Sequence, residues 1–226
     1  MSQQDNDFWL TKFNEIGAIA LGHFVLQAGG HSDRYFDKDG IFPHAGLMRK
    51  IAVEIALQFA GMGIETVAAP VVGAVALCHL VVDCLAKRTQ AEVIYPWATF
   101  ARKSEDGKSF KFCSSHEQYI RGKRVLIVED ILTTGGSVGK VITATRALGG
   151  DVVGVGAICN RGGVTAEMLD IPRLFAVATA KDAKTWSEEG CPLCQDKVPV
   201  STDLGHGQAY LARKAAELAG HSGDSR

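Results

Sequence analysis

The chain has 226 residues, 46% of them hydrophobic and 22% charged, which is enough to bury one substantial core and a small annex. A net charge of −1 offers no bulk field to a nucleic acid or an acidic membrane, so a small-molecule partner is expected, with no nucleic acid and no membrane. No stretch reaches the roughly 18 uninterrupted apolar residues of a membrane span, and the opening MSQQDNDFW lacks the basic-then-apolar layout of a secretory signal, so the expected location is cytoplasmic.

Taken in chain order, residues 1–43 show no strand–helix rhythm and are expected to flank the core as part of a hood. The segment 45–60 (AGLMRKIAVEIALQFA) is a predicted helix, with Leu47, Ile51, Ile55 and Phe59 on one stripe and Gly61 placed to end it. Strands are predicted at 64–69 (IETVAA), 91–95 (AEVIY), 124–129 (RVLIVE), 152–158 (VVGVGAI) and 173–178 (RLFAVA). They are short, apolar and without alternation, as in strands covered on both faces. A helix is predicted over about 74–87, and another over 137–148, where Val138, Val141, Ile142, Thr145 and Leu148 share a face before Gly149-Gly150. Strand and helix in alternation predict a parallel sheet with right-handed crossovers. The expected organisation is a single domain: a hood segment over 1–43, an α/β core over 44–180 and a tail over 181–226 that shares the hood.

One stretch carries the chemistry, VLIVEDILTTGGS at 125–137. In an open parallel sheet, ligands sit beyond the carboxyl ends of the strands, where the loop entering the next helix offers unpaired N–H groups. Thr133, Thr134, Gly135, Gly136 and Ser137 occupy that loop, the glycines allowing close approach and the hydroxyls adding donors, which suits a monophosphate. Glu129 and Asp130, just before it, are acceptors suited to a vicinal diol such as that of ribose. A sugar phosphate is the implied ligand.

This thirteen-residue stretch resembles the signature for 5-phosphoribosyl-1-pyrophosphate (PRPP) of the type I phosphoribosyltransferases and matches it at every position. GHFVLQAGGHSDRYFDKDG at 22–40, FARK at 100–103, CNRGG at 159–163 and CPLCQDKVPV at 191–200 are similar to segments of orotate phosphoribosyltransferases, including members with a cysteine-bearing tail. The resemblance covers most of the chain. It implies an α/β fold of the type I phosphoribosyltransferase kind, a parallel sheet flanked by helices with a small hood built from the N-terminal segment and the C-terminal tail.

The resemblance also implies roles. Glu129 and Asp130 bind the ribose hydroxyls and the threonine–glycine loop wraps the 5'-phosphate. Arg161 binds the orotate carboxylate, a role suited to a planar fork. Tyr35 and Phe36 match an aromatic pair beneath the base. Lys103, in the polar stretch ARKSEDGKSFKF, matches a mobile-loop lysine that reaches pyrophosphate, commonly in the partner subunit's site, with Arg102 and Lys108 as weaker neighbours. Val72 stands where many relatives carry a lysine, leaving backbone N–H groups and Gly73 to approach pyrophosphate. Gln27 likewise stands where many orotate enzymes carry lysine, and no histidine follows Lys103 closely, His116 being too distant to assign.

The implied activity is magnesium-dependent transfer of 5-phosphoribosyl from PRPP to orotate by a homodimer, giving orotidine 5'-monophosphate and pyrophosphate in pyrimidine biosynthesis. The transfer passes through an oxocarbenium-like state, with no covalent nucleophile. Magnesium is expected on PRPP oxygens and water, with no direct protein ligand. Transfer to another nucleobase and PRPP sensing without turnover remain the alternatives. Six scattered cysteines, at 78, 84, 113, 159, 191 and 194, fit reduced thiols. Cys191 and Cys194 are read as structural thiols; a zinc site would need His206 or His221 to complete it.

Overall fold

The computed structural model describes residues 2–26, 29–88, 93–180 and 184–221. In chain order the elements are helix α1 (Gln3–Glu15), strands β1 (Ile19–Val25) and β2 (His31–Phe36), α2 (Ala45–Phe59), β3 (Thr66–Pro70), α3 (Val75–Leu85), β4 (Lys87–Arg88), β5 (Val93–Ile94), β6 (Trp97–Lys103), β7 (Phe110–Phe112), α4 (Ser114–Glu117), β8 (Arg124–Leu132), α5 (Gly136–Ala147), β9 (Asp151–Asn160), β10 (Leu174–Thr179), β11 (Thr185–Trp186), α6 (Pro192–Gln195) and α7 (Gly207–His221). They group into two compact units. One comprises Met1–Lys12 and Ile41–Lys181, the other Phe13–Gly40 and Asp182–Arg226. No helix among the described residues is long and apolar enough to cross a membrane.

The larger unit is a six-stranded sheet in the order β10-β9-β8-β3-β6-β7. All pairings are parallel except β6–β7, which closes one edge as a hairpin. On one face α5 packs Val138, Val141 and Ile142 against Val125, Ile127, Val155 and Ala157, all buried. Burial of each such aliphatic side chain contributes about 1.5–3 kcal/mol before chain entropy is counted. On the other face α2 lies so close to β9 that a Cβ at Gly154 would meet Phe59 Cε1 at 2.5 Å and one at Gly156 would meet Ile55 Cγ2 at 2.5 Å. The two strand glycines are therefore sockets for the apolar stripe of α2, which the structure centres on Met48, Ile51, Ile55 and Phe59. Leu47 of the expected stripe is only half-buried. At the outer edge, Asn6 of α1 meets β10 twice: its Oδ1 accepts the Thr179 N–H (2.6 Å) and its Nδ2 donates to the Thr179 carbonyl (3.2 Å).

One predicted strand is displaced. Of 91–95, residues 91–92 lie outside the described part, and Val93–Ile94 pair, among the described residues, with β4; the sheet strand is β6, beginning at Trp97. Val93, Ile94 and Tyr95 are exposed despite their strand-favouring character, whereas β6 buries the smaller Thr99 and Ala101. β-Propensity reports fit to a half-buried pleat and cannot say which neighbouring segment wins it.

The smaller unit carries the antiparallel sheet β1-β2-β11. A register shift between Leu21 and Phe24 makes a bulge in β1 that leaves His23, Phe24 and Val25 all buried. Phe13 and Phe36 meet edge-to-face, with centroids 5.3 Å apart.

Candidate active site

The strand order puts a crevice between β3 and β8. From β3 the chain crosses to β6 on one side, then returns past β3 to β8 and continues outward to β9 and β10, so the direction of winding reverses there. Registers show the opening: β3 pairs with β6 as far as Pro70↔Ala101, and β8 with β9 as far as Leu132↔Asn160, but β3 and β8 pair no further than Ala68↔Ile127. Ligands in open sheets bind where carboxyl ends part at such a reversal.

Glu129 and Asp130 sit in β8 just past the last pairing with β3, at 5% and 8% exposure. The strand does not end at residue 129, as the apolar run suggested; pairing with β9 carries it on to Leu132, so both acids are held by a strand rather than by its frayed end. Each carboxylate accepts the next residue's main-chain N–H, Glu129 from Asp130 (3.1 Å) and Asp130 from Ile131 (2.6 Å), which fixes one oxygen of each.

Beyond Leu132 the chain enters the Thr133–Ser137 loop and α5. Gly135 has φ +76°, a left-handed conformation, and a Cβ there would meet Leu169 Cδ2 at 3.1 Å and Val164 Cγ1 at 3.2 Å. Thr134 Oγ1 accepts the Gly136 N–H (3.3 Å), shaping the turn. Thr133, Thr134, Gly136 and Ser137 are exposed at the head of a 12-residue helix whose dipole favours an anion.

The loop after β9 is clamped onto this one. Main-chain N–H groups of Arg161 and Gly162 both donate to the Leu132 carbonyl, at 2.9 and 3.0 Å. A Cβ on Gly162 would stand 1.4 Å from the Thr133 carbonyl oxygen, so only glycine fits. Asn160 braces the turn from below, Nδ2 donating to the Val164 carbonyl (2.7 Å) and Oδ1 accepting the Val164 N–H (3.0 Å). Half-buried Arg161 is thereby carried next to the Thr133–Ser137 loop. Across the crevice, the loop after β3 begins with Val71 donating to the Ala101 carbonyl (2.9 Å); the Val71–Val72 peptide is cis, and the Val72 side chain is exposed.

Residues 45–181 match the model of the phosphoribosyl transferase domain. The chain belongs to the phosphoribosyltransferase family. It is 33% identical over 188 residues, 83% of its length and 91% of the relative's, to the orotate phosphoribosyltransferase of Caldanaerobacter subterraneus subsp. tengcongensis. It is 34% identical over 191 residues, 84% and 97% of the two chains, to the orotate phosphoribosyltransferase of Thermus thermophilus. In fold it is similar to the orotate phosphoribosyltransferase of Mycobacterium tuberculosis H37Rv crystallised with inorganic phosphate, with TM-score 0.60 and 23% identity over 79% of this chain and 98% of that one.

The remaining residues expected of a phosphoribosyltransferase site are distributed less simply. Lys103 ends strand β6 instead of lying within a loop. The segment beyond it is a hairpin turn in which Ser104 N donates to the Ser109 carbonyl (2.9 Å) and Asp106 Oδ1 accepts from Ser104 Oγ (2.6 Å) and Lys108 N (3.0 Å). Lys140 of α5 ties that turn down through the Gly107 carbonyl (3.0 Å). Because β3 intervenes, about 10 Å of sheet separates β6 from β8. Arg102, Lys103 and Lys108 are all exposed. Tyr35 and Phe36 belong to the smaller unit, where Phe36 is buried and half-buried Tyr35 lies 5.6 Å from the Phe24 ring. His116 plays a structural part, its Nδ1 accepting the Phe100 N–H (3.3 Å). Gln27 lies outside the described residues. Gly162 and Asn160 were not singled out from sequence, although the Gly-Gly of CNRGG was a usable signal for a close backbone approach.

Proposed function

We propose that this protein is an orotate phosphoribosyltransferase, transferring 5-phosphoribosyl from PRPP to orotate to give orotidine 5'-monophosphate and pyrophosphate. The observation that carries this reading is the run from a buried carboxylate pair at the sheet's reversal into a threonine–glycine loop to which the Arg161 turn is clamped. The loop would hold the 5'-phosphate on the α5 N–H groups and the hydroxyls of Thr133, Thr134 and Ser137. The carboxylate oxygens of Glu129 and Asp130 would accept the ribose hydroxyls and favour positive charge developing on the sugar. Arg161 would fix the orotate carboxylate by a bidentate pair, aiming a ring nitrogen at the anomeric carbon. Val72 and Gly73 would offer backbone to pyrophosphate.

Two carboxylates suit a hard dication held mostly by diphosphate oxygens and water, so magnesium fits here. When bound, it would supply neutralisation of the leaving group's charge.

The proposed assembly is a homodimer. In support, β5 and the start of β6 expose Val93, Ile94, Tyr95 and Trp97 side by side in sequence, a density of apolar surface that partner burial would remove. Lys103, at the far end of β6 from Trp97, is proposed to serve the partner's pyrophosphate site.

The test is depletion of orotate absorbance with PRPP and magnesium, for the wild type and Arg161→Ala, beside uracil, adenine and hypoxanthine. Orotate should be consumed and preferred, with Arg161→Ala reducing kcat/KM for orotate by ~100-fold or more. Preference for another base, or an unaffected Arg161→Ala, would overturn the assignment.

A further inference from the structure

In the smaller unit, two histidines and two cysteines turn their donor atoms to one point. His23 and His31 come from β1 and β2; Cys191 precedes α6 and Cys194 lies within it. His23 Nε2 lies 2.8 Å from His31 Nδ1, Cys191 Sγ and Cys194 Sγ each lie 3.6 Å from His23 Nε2, and Cys194 Sγ lies 3.3 Å from His31 Nδ1. All four donor atoms fall within 4.8 Å of one another, and His23, His31 and Cys191 are buried. We infer that these four side chains form a structural zinc site, binding one ion as His23 Nε2, His31 Nδ1, Cys191 Sγ and Cys194 Sγ.

Three observations carry this. First, the spacing suits a tetrahedral ion: zinc bonds of ~2.3 Å to sulfur and ~2.0–2.1 Å to nitrogen set donors roughly 3.3–3.8 Å apart, reached here by shifts of under about 1 Å. Second, His23 Nδ1 lies 2.8 Å from the Val198 carbonyl. A proton held on Nδ1 leaves the Nε2 lone pair aimed into the cluster, the outer hydrogen bond that orients metal-bound histidines. Third, the β1 bulge sits at this place. It lets His23, Phe24 and Val25 all be buried, against the alternation of a regular strand, and so sends a polar ring inward that an ordinary register would expose. Two sulfurs and two imidazole nitrogens with no open position favour zinc in a structural role. His206, proposed from sequence as a completing ligand, is exposed and stands apart from the group; the His221 side chain lies outside the described part. Sequence spacing missed His23 and His31 because neither is near the cysteine pair along the chain.

The ion would staple the β1–β2 hairpin to the tail segment of the same unit. It is independent of the magnesium expected with PRPP, and the inference does not rest on orotate being the base.

The experiment is metal analysis of the dialysed full-length chain, followed by cobalt(II) replacement and melting with and without chelator. About one zinc per chain is expected, with visible cobalt bands and near-ultraviolet thiolate-to-cobalt charge transfer of a tetrahedral thiolate site. Chelation should lower Tm by ~5 °C or more. Cys194→Ser should lose the metal, whereas Cys113→Ser, at an exposed thiol outside the cluster, should keep it. The wild-type cobalt spectrum decides the matter even if Cys194→Ser fails to fold. A zinc-reconstituted wild type holding under ~0.2 ion per chain, a metal-free Cys191–Cys194 disulfide in fresh protein, or a Cys194→Ser variant with full metal content would each overturn the assignment.

Discussion

At Gly162 a methyl group would stand 1.4 Å from the Thr133 carbonyl oxygen, so Gly162→Ala must push apart the Thr133–Ser137 loop and the Arg161 turn, the two loops proposed to hold phosphate and base. The expected outcome is a loss of about 1–3 kcal/mol in denaturant unfolding, together with raised KM values for both PRPP and orotate. A variant as stable and active as wild type would show that the loops are not clamped. At the carboxylates, Asp130→Asn and Glu129→Gln keep shape and remove charge. Each should reduce kcat/KM for PRPP by ~10–100-fold, the worth of a charged hydrogen bond, while leaving Tm within a few degrees of wild type. The acid pair and the threonine–glycine loop were legible in sequence because they are contiguous. The Gly162 contact and the Asn160 brace were not, since they join residues of different loops that only the β8–β9 register brings together.

Between elements, the fit of α2 on β9 rests on missing side chains. Gly156→Ala would meet Ile55 Cγ2 at 2.5 Å and should cost about 1–3 kcal/mol in unfolding free energy, with kcat close to wild type, because the clash faces the helix layer rather than the crevice. At the sheet's amino end, Glu65 accepts Arg124 N (3.1 Å) and Lys123 Nζ (3.0 Å), and these bonds, the backbone one foremost, hold its carboxyl below the usual 4.5. A carboxyl lowered in the folded state stabilises fully above its unfolded value, and the gain is lost as pH falls through the folded one. Thus Glu65→Gln should destabilise by under about 1 kcal/mol at pH 7, since the side chain is 42% exposed, and the gap from wild type should close below about pH 4.5. A gap that widens on acidification would refute this role. Helix positions were readable because caps and stripes are local: α2 ends beside Gly61 and α5 beside Gly149, both at positive φ. The choice of β6 over 91–95 was not local, because it depends on which segment finds the β3 edge.

For the whole molecule, the alternation of strands and helices foretold the parallel sheet, and the non-alternating ends contain the smaller unit, while Met1–Lys12, read with the hood, groups with the larger unit. The proposed partnership between copies was suggested in sequence only by resemblance. If Lys103 serves the partner's site, mixing Lys103→Ala with Asp130→Asn dimers under exchange conditions should restore roughly a quarter of wild-type activity, because half the dimers then carry one intact site. No recovery would place Lys103 in its own subunit's site or outside catalysis.

The most direct measurement is phosphorus NMR of the wild-type protein with PRPP, magnesium and orotate. PRPP signals should decline in equal step with the growth of pyrophosphate and of a nucleotide monophosphate identical to orotidine 5'-monophosphate, and omitting orotate should leave PRPP intact. Unchanged PRPP, or pyrophosphate released without nucleotide, would contradict the proposed transfer.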